Sequence, residues 1–175
     1  MDGFCLDDTG DLMRWFWIDR FTKLEDNEAQ AVKNVSLAEE HMHDHFPGFP
    51  VMPRTLMIEG MAQTAGILGG RRTGFTANIV LAKIQRAVFY ELVFPGDQIV
   101  YDARILEFHP EGHQAEIRAT VQGKLVGEAE MMFFNYQAPN LPAEEQKSFV
   151  FAENFSVLLG VDMHHHTASG AEKAS

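Results

Sequence analysis

One histidine, one glutamate and the backbone between them are where this sequence can be read for chemistry. His45 carries the side chain whose ordinary pKa suits proton transfer near neutrality. It stands just before prolines at 47, 50 and 53, each of which fixes φ and pushes the preceding residue towards extended conformations. Residues 47–53 therefore form a stiff, turning approach that holds His45 relative to the start of the next element. From Thr55 onwards Leu56, Met57, Ile58, Met61, Ala62, Ala65, Ile67 and Leu68 place apolar groups on every side of a helical projection, which predicts a helix surrounded by protein. Glu59 is the only charged residue between Arg54 and Arg71. A carboxylate on a buried helix is rare unless paired, and desolvation favours its protonated, proton-donating form. Gln63 stands one turn later on the same face, placed to orient it by a hydrogen bond. A histidine, a glutamate and the N–H groups of a helix N-terminus make an acid, base and oxyanion set. A structural glutamate, welcomed there by the helix dipole, fits the same pattern, and spacing alone leaves both readings open.

The elements that must position these groups are legible in outline. Gly60, Gly66, Gly69 and Gly70 are costly inside a helix, so at least the inner two, Gly60 and Gly66, predict close approach by a neighbouring sheet. Residues 15–23 are rich in aromatics and read as a strand, with 29–35 as its partner across a polar turn at 25–28. Ser36 is placed to cap a short helix running through Glu39 and Glu40 and ending before His45. After a turn at 69–74, residues 77–89, 98–108, 114–122 and 124–136 are strand-like, separated by Pro95-Gly96-Asp97, Pro110-Glu111-Gly112 and a tight hairpin at Gly123. One buried helix and then a long antiparallel meander imply an α+β fold in which a sheet wraps around that helix.

Composition narrows the function classes. The chain of 175 residues has 46% hydrophobic content and 14 phenylalanines, enough for one domain with a substantial core. Its net charge of -11 argues against general nucleic-acid binding, which calls for a basic face. A single cysteine, Cys5, cannot form an internal disulfide and fits a reducing cytoplasm. No apolar run approaches the length of a membrane span, and the acidic N-terminus lacks the parts of a signal peptide, so a cytoplasmic protein is expected. His41, His43 and His45 with Asp44 raise a metal reading, but a helix end would scatter them. No native metal site is expected, and His41 and His43 read as polar surface.

Residues 1–136 read as one domain and 137–175 as a C-terminal extension. Pro139 and Pro142 make a linker, after which Phe151, Phe155, Leu158 and Leu159 fall at helical spacing, fit for a docking helix over the chain's own sheet, a partner or a binding channel. His164, His165 and His166 begin a polar tail.

The run His-Phe-Pro-Gly-Phe-Pro-Val-Met-Pro at 45–53, with Leu-Met-Ile-Glu-Gly-Met-Ala-Gln at 56–63, resembles the active-site signature of the β-hydroxyacyl-(acyl-carrier-protein) dehydratases of type II fatty acid synthesis, which have the hotdog fold. Supporting similarity lies in the aromatic stretch at 15–21, Lys-Asn-Val-Ser at 33–36, Pro-Gly-Asp-Gln at 95–98 and residues 119–130, so that it spans roughly 11–136. One position departs from the pattern: where the family usually has a glycine after Val-Met-Pro, this chain has Arg54. Its backbone N–H survives, but a side chain now stands where a thioester must pass, unless the guanidinium turns outwards to pair with a carboxylate.

The resemblance implies dehydration of a (3R)-3-hydroxyacyl thioester on acyl carrier protein to the trans-2-enoyl thioester. Neutral His45 would take the proton beside the carbonyl and protonated Glu59 would give one to the departing hydroxyl, with the Arg54 amide polarising the thioester oxygen. It further implies sites shared between the subunits of a homodimer, three of which often associate, and no metal or redox cofactor. Phe89, Tyr90 and Phe94 are candidates to line an acyl tunnel, and Arg71, Arg72, Lys83 and Arg86 to dock the acidic carrier protein, although the two arginines at the helix end also suit its dipole. Two alternatives are a hotdog acyl thioesterase and a non-catalytic acyl- or carrier-binding subunit whose site Arg54 has closed.

Overall fold

A computed structural model describes residues 16–136; the expected C-terminal docking helix and polar tail lie outside the described residues. Six strands, β1 (Arg20–Leu24), β2 (Glu28–Asn34), β3 (Asn78–Phe89), β4 (Gln98–His109), β5 (Gly112–Val121) and β6 (Lys124–Tyr136), form one sheet in the order β1-β2-β4-β5-β6-β3. Every pairing is antiparallel. A short helix α1 (His41–Asp44) and a long helix α2 (Arg54–Arg72) lie between β2 and β3. The β5–β6 hairpin turns at Gln122 (φ 50°) and Gly123 (φ 79°), two positive φ values in succession, as a two-residue turn matching strand twist requires.

Met57, Met61 and Leu68 on α2 are buried against Tyr101, Ile117 and Met131 on the inner face of the sheet. The helix can lie this close because of glycines, though not both of those expected. A Cβ on Gly60 would come within 2.7 Å of the Tyr101 ring and 2.8 Å of the Trp17 carbonyl, and one on Gly69 would fall into the His113 imidazole. Gly66 has room, its nearest neighbour being 3.8 Å away. The close approach is therefore at Gly60 and Gly69.

Three expected boundaries move: the turn expected at 69–74 is helix as far as Arg72, and two others lie nearer the N-terminus. The first strand begins at Arg20, because Trp17 gives its amide to Gln63 Oε1 on α2 at 2.8 Å instead of to a strand. Trp17 and Ile18 are buried over the helix, so the aromatic stretch packs as a core-covering approach. Ser36 and Glu39 do form reciprocal bonds, Ser36 Oγ accepting from the Ala38 amide and Glu39 Oε2 from the Ser36 amide, both at 3.1 Å. They close a turn, and the helix itself starts later, at His41.

The expectation of a helix enclosed on every side is corrected as well. Thr55 and Glu59 are exposed, and Ile58, Gln63 and Gly66 only partly buried. Thr55, Ile58, Glu59 and Gln63 recur every three or four residues, so they form one stripe that the chain's own sheet leaves open, while Gly66 continues it towards Phe133 and Ile79 of the sheet. Beside it β3 is an edge strand of 12 residues, with every residue from Lys83 to Ala87 exposed.

Candidate active site

His45 is the C-cap residue of α1 and enters the rigid segment directly. Phe46 and Phe49 exchange backbone hydrogen bonds at 3.0 and 2.9 Å around Pro47 and Gly48, whose φ is 77°. Proline then glycine with positive φ is the sequence of a type II turn. The turn folds Val51 back onto His45: the Val51 amide donates to the His45 carbonyl at 2.9 Å, and His45 Nδ1 lies 3.1 Å from the Val51 carbonyl. A carbonyl only accepts, so this contact selects the tautomer with the proton on Nδ1 and leaves the Nε2 lone pair free as a base. Phe46 stacks on the imidazole with ring centroids 4.3 Å apart. The Met52 amide bonds the Val93 carbonyl at 2.8 Å, tying the segment to the strand side of the fold.

Helix α2 begins immediately after. No side chain caps its start, and the Leu56 and Met57 amides both turn to the Pro53 carbonyl, at 3.0 and 3.1 Å. Among the described residues, the Arg54 and Thr55 amides are thus the open donors at the positive end of the helix. The Arg54 guanidinium makes no ion pair among the described residues. It lies 5.8 Å over the Phe89 ring, a cation–π placement in place of the carboxylate pairing considered for it.

Glu59 projects from the bare stripe of α2, exposed to solvent within the single chain. Desolvation by the chain's own sheet, expected from a buried helix, is therefore missing. One carboxylate oxygen accepts from Gln63 Nε2 at 3.0 Å, while Gln63 Oε1 accepts from the Trp17 amide. The Trp17 N–H fixes which end of the amide faces Glu59, because only an acceptor can meet it. Neither Trp17 nor the Val51 carbonyl was singled out by sequence: a backbone group carries no signal in residue type.

The remaining candidates divide. Phe89 is half-buried under Arg54, and Phe94 packs edge-on to Phe49 with centroids 5.7 Å apart, so both border the His45 turn or the helix start. Tyr90 is exposed and its hydroxyl donates to Glu128 at 2.8 Å; that carboxylate holds the phenol pKa above its ordinary value. Arg86 pairs with the same Glu128 at 2.9 Å, and Lys83 stands exposed on the edge strand. Arg71 and Arg72 lie at the other end of α2, about 25 Å from Arg54 at roughly 1.5 Å per residue. Arg71 faces Asp26 at 3.8 Å; Arg72 donates to Asn27 at 2.7 Å and covers the Phe108 ring at 4.6 Å. Both reach the β1–β2 turn.

His41 departs from the surface reading: its ring meets Trp17 edge-on at 5.1 Å, and burial lowers its pKa. Among the described residues no group of three histidine, cysteine or acidic side chains is placed to hold a metal ion, and no helix is long and apolar enough to cross a membrane.

The site thus offers a base with a free lone pair, an oriented carboxyl group and open helix-terminal amides. His45 and Glu59 are each held by their own element, with no hydrogen bond or ion pair joining them within the described residues. Comparison with known proteins gives this arrangement a family. The FabA-like domain family matches residues 13–130. A curated 3-hydroxyacyl-[acyl-carrier-protein] dehydratase FabZ of Listeria welshimeri is 40% identical over 118 residues, 66% of this chain and 82% of that protein. The enzyme of the same name from Streptococcus mutans is 36% identical over 117 residues, covering 66% and 84%. Among solved structures, an uncharacterised protein from Pyrococcus horikoshii superposes with a TM-score of 0.59 at 16% identity, covering 74% of this chain and 92% of its own. A conserved protein from Pseudomonas aeruginosa gives 0.57 at 20%, covering 67% and 87%; these two speak for the hotdog fold alone. With the family match spanning most of the described residues and curated relatives at 40% identity, the chain belongs to the FabA-like, 3-hydroxyacyl-[acyl-carrier-protein] dehydratase family of hotdog-fold proteins.

Proposed function

We propose that the protein removes water from (3R)-3-hydroxyacyl thioesters carried on acyl carrier protein, giving the trans-2-enoyl thioester. The observation that carries this reading is the His45 Nδ1 to Val51 carbonyl contact at 3.1 Å, which leaves Nε2 as the basic atom on the family's signature segment. Nε2 takes the proton from C2; the C2–H electron pair becomes the C2–C3 double bond as the C3–O bond breaks. The departing hydroxyl takes a proton from Glu59 and leaves as water. Negative charge gathering on the thioester oxygen faces the Arg54 and Thr55 amides, where oriented donors stabilise it without reorganising. The Arg54 side chain, drawn over Phe89, leaves its own amide open for that purpose.

The reaction requires a dimer in this reading. The bare stripe carrying Glu59 and the unpaired edge β3 lie side by side, and a second copy added at β3 would cover both. That copy also supplies the desolvation of Glu59 that one chain does not, and brings its own His45 to the carboxyl group. Arg71 and Arg72 reach the β1–β2 turn, Arg86 is paired with Glu128, and Lys83 and Arg86 stand on the strand a second copy would cover, so none of these four cations is favoured for carrier-protein docking.

The test is enoyl absorbance with 3-hydroxyacyl carrier-protein substrates, read together with free-thiol release. Wild type is expected to form enoyl product without thiol. Thiol release without enoyl product would favour a thioesterase, and carrier-protein binding without turnover a non-catalytic subunit.

A further inference from the structure

We propose that the Arg54 guanidinium recognises the thiol half of the substrate, donating to the carbonyl of the first amide in the pantetheine arm, next to the thioester sulfur. The inference rests on the reading that the Arg54 amide faces the thioester oxygen. It goes beyond that reading by giving the side chain a ligand of its own, where a glycine would offer the same amide and nothing more.

Arg54 is the first residue of α2 and is exposed. Among the described residues its guanidinium N–H groups have neither a hydrogen-bond nor an ion-pair partner, yet the group is held in place. Its Cζ lies 5.8 Å over the Phe89 ring, and that ring is itself fixed. It lies so close to Gly127, its partner across β3 and β6, that a Cβ there would come within 2.8 Å of Phe89 Cδ1. Contact with a ring satisfies none of the guanidinium donors. A cation is thus stationed at the start of α2 with its hydrogen-bonding capacity unused, in a side chain whose planar fork suits carbonyl and carboxylate oxygens.

Direction, reach and solvation together select the acceptor. Helical Cα–Cβ bonds tilt towards the N-terminus, so the side chain leaves the start of α2 on its solvent side. A substrate tethered to a carrier protein reaches solvent through its thiol end, whereas its acyl end is taken up by the enzyme. In covalent reach, Arg54 Cζ is as many bonds from the Arg54 amide nitrogen as the first amide oxygen of a pantetheine thioester is from the thioester carbon. With the Arg54 N–H on the thioester oxygen, the two arms start side by side and match in length. The phosphate that joins the arm to the carrier lies far beyond this reach. Acyl methylenes at the same distance would strip water from the guanidinium and offer no acceptor in return, while the amide carbonyl gives a charge-assisted hydrogen bond.

Calorimetric binding to the full chain tests the proposal with two thioesters of one saturated fatty acid, which have no hydroxyl to eliminate. The N-acetylcysteamine thioester keeps the first amide; the S-pentyl thioester has methylenes in its place. Arg54→Met retains the backbone N–H and a long side chain, removes every side-chain donor, and puts a good helix former at an exposed position. It should weaken binding of the amide-bearing thioester about tenfold, the worth of roughly one hydrogen bond to a charged group, and leave the S-pentyl thioester nearly as before. An equal change in both, a change confined to the S-pentyl thioester, or no binding of the amide-bearing one to wild type would overturn the proposal. Enoyl formation from 3-hydroxyacyl carrier protein on the same proteins judges dehydration separately. Amide-selective binding that depends on Arg54 without turnover would support the recognition and defeat the dehydratase reading; turnover with equal changes in binding would do the reverse.

Discussion

His45 and Glu59 are positioned by different means, and substitutions should separate them. The histidine is held by the type II turn through Val51, so His45→Ala removes the base with little effect on folding. Its loss should lower kcat by about 10²–10⁴, the range for a positioned general acid or base. Glu59→Gln keeps the shape and the Gln63 contact but has no acidic proton, and should fall in the same range. Gln63→Ala removes one hydrogen bond to the carboxyl group and frees the Trp17 amide. A loss of about tenfold in kcat is expected, the worth of roughly one such bond, with Gln63→Glu failing to restore it because a carboxylate has no N–H to donate to Glu59. Steady-state rates of enoyl formation check all three; equal rates for wild type and His45→Ala would remove the base from the mechanism. Arg54→Gly removes the cation over Phe89 and leaves the amide, so its effect should appear in KM and chain-length preference. The types and spacing of His45, Glu59 and Gln63 are legible in the sequence because they are side chains on a motif. The Val51 carbonyl and Trp17 amide that orient them are not, since any residue offers the same backbone groups. The direction of Arg54 is equally hidden, because its choice of Phe89 depends on where β3 runs.

At the scale of elements, α2 and the sheet meet through missing side chains. Gly69→Ala puts a methyl group into the His113 ring, which is stacked on Phe133 at 4.7 Å and cannot retreat. Overpacking of this kind costs about 1–3 kcal/mol, visible as a lowered denaturant midpoint with an unchanged slope. His113 also makes stability depend on pH. Burial lowers its pKa in the folded state, so the unfolded chain binds the proton more readily. Stability is full above the ordinary histidine value of about 6.5 and is lost as pH falls below it. His41, lowered by burial as well, adds to the same slope. Urea titrations at about pH 7.5 and 5.5, on either side of that value, should show it, and His113→Phe should flatten it; an unchanged slope would mean the imidazole titrates alike in both states. The antiparallel meander and the hairpin at Gly123 are readable from alternation and turn residues. The start of β1 is not, because aromatic content does not reveal that Trp17 bonds to a helix. Nor does counting glycines distinguish Gly66, which has space, from Gly69, which has none.

At the scale of the whole molecule, one chain leaves work unfinished. The helix sequence predicts enclosure on all sides, yet Glu59 stands on an open stripe beside an unpaired edge of 12 residues. On the proposed dimer, the hydrophobic pattern records burial that a second copy would provide, and the sequence of one chain does not say so. A charge placed in the middle of that edge, Ile84→Asp, should therefore yield monomers in light scattering and abolish turnover although His45 and Glu59 are intact. A fully active monomer would show that one chain suffices. The most direct measurement mixes two inactive proteins, His45→Ala and Glu59→Gln, and tracks enoyl formation after subunit exchange. If each site takes its histidine from one copy and its glutamate from the other, every mixed dimer holds one wild-type site, and random pairing restores about a quarter of wild-type activity. If both groups of a site come from the same chain, no combination is complete and activity stays at the level of the parents, which would contradict the shared site.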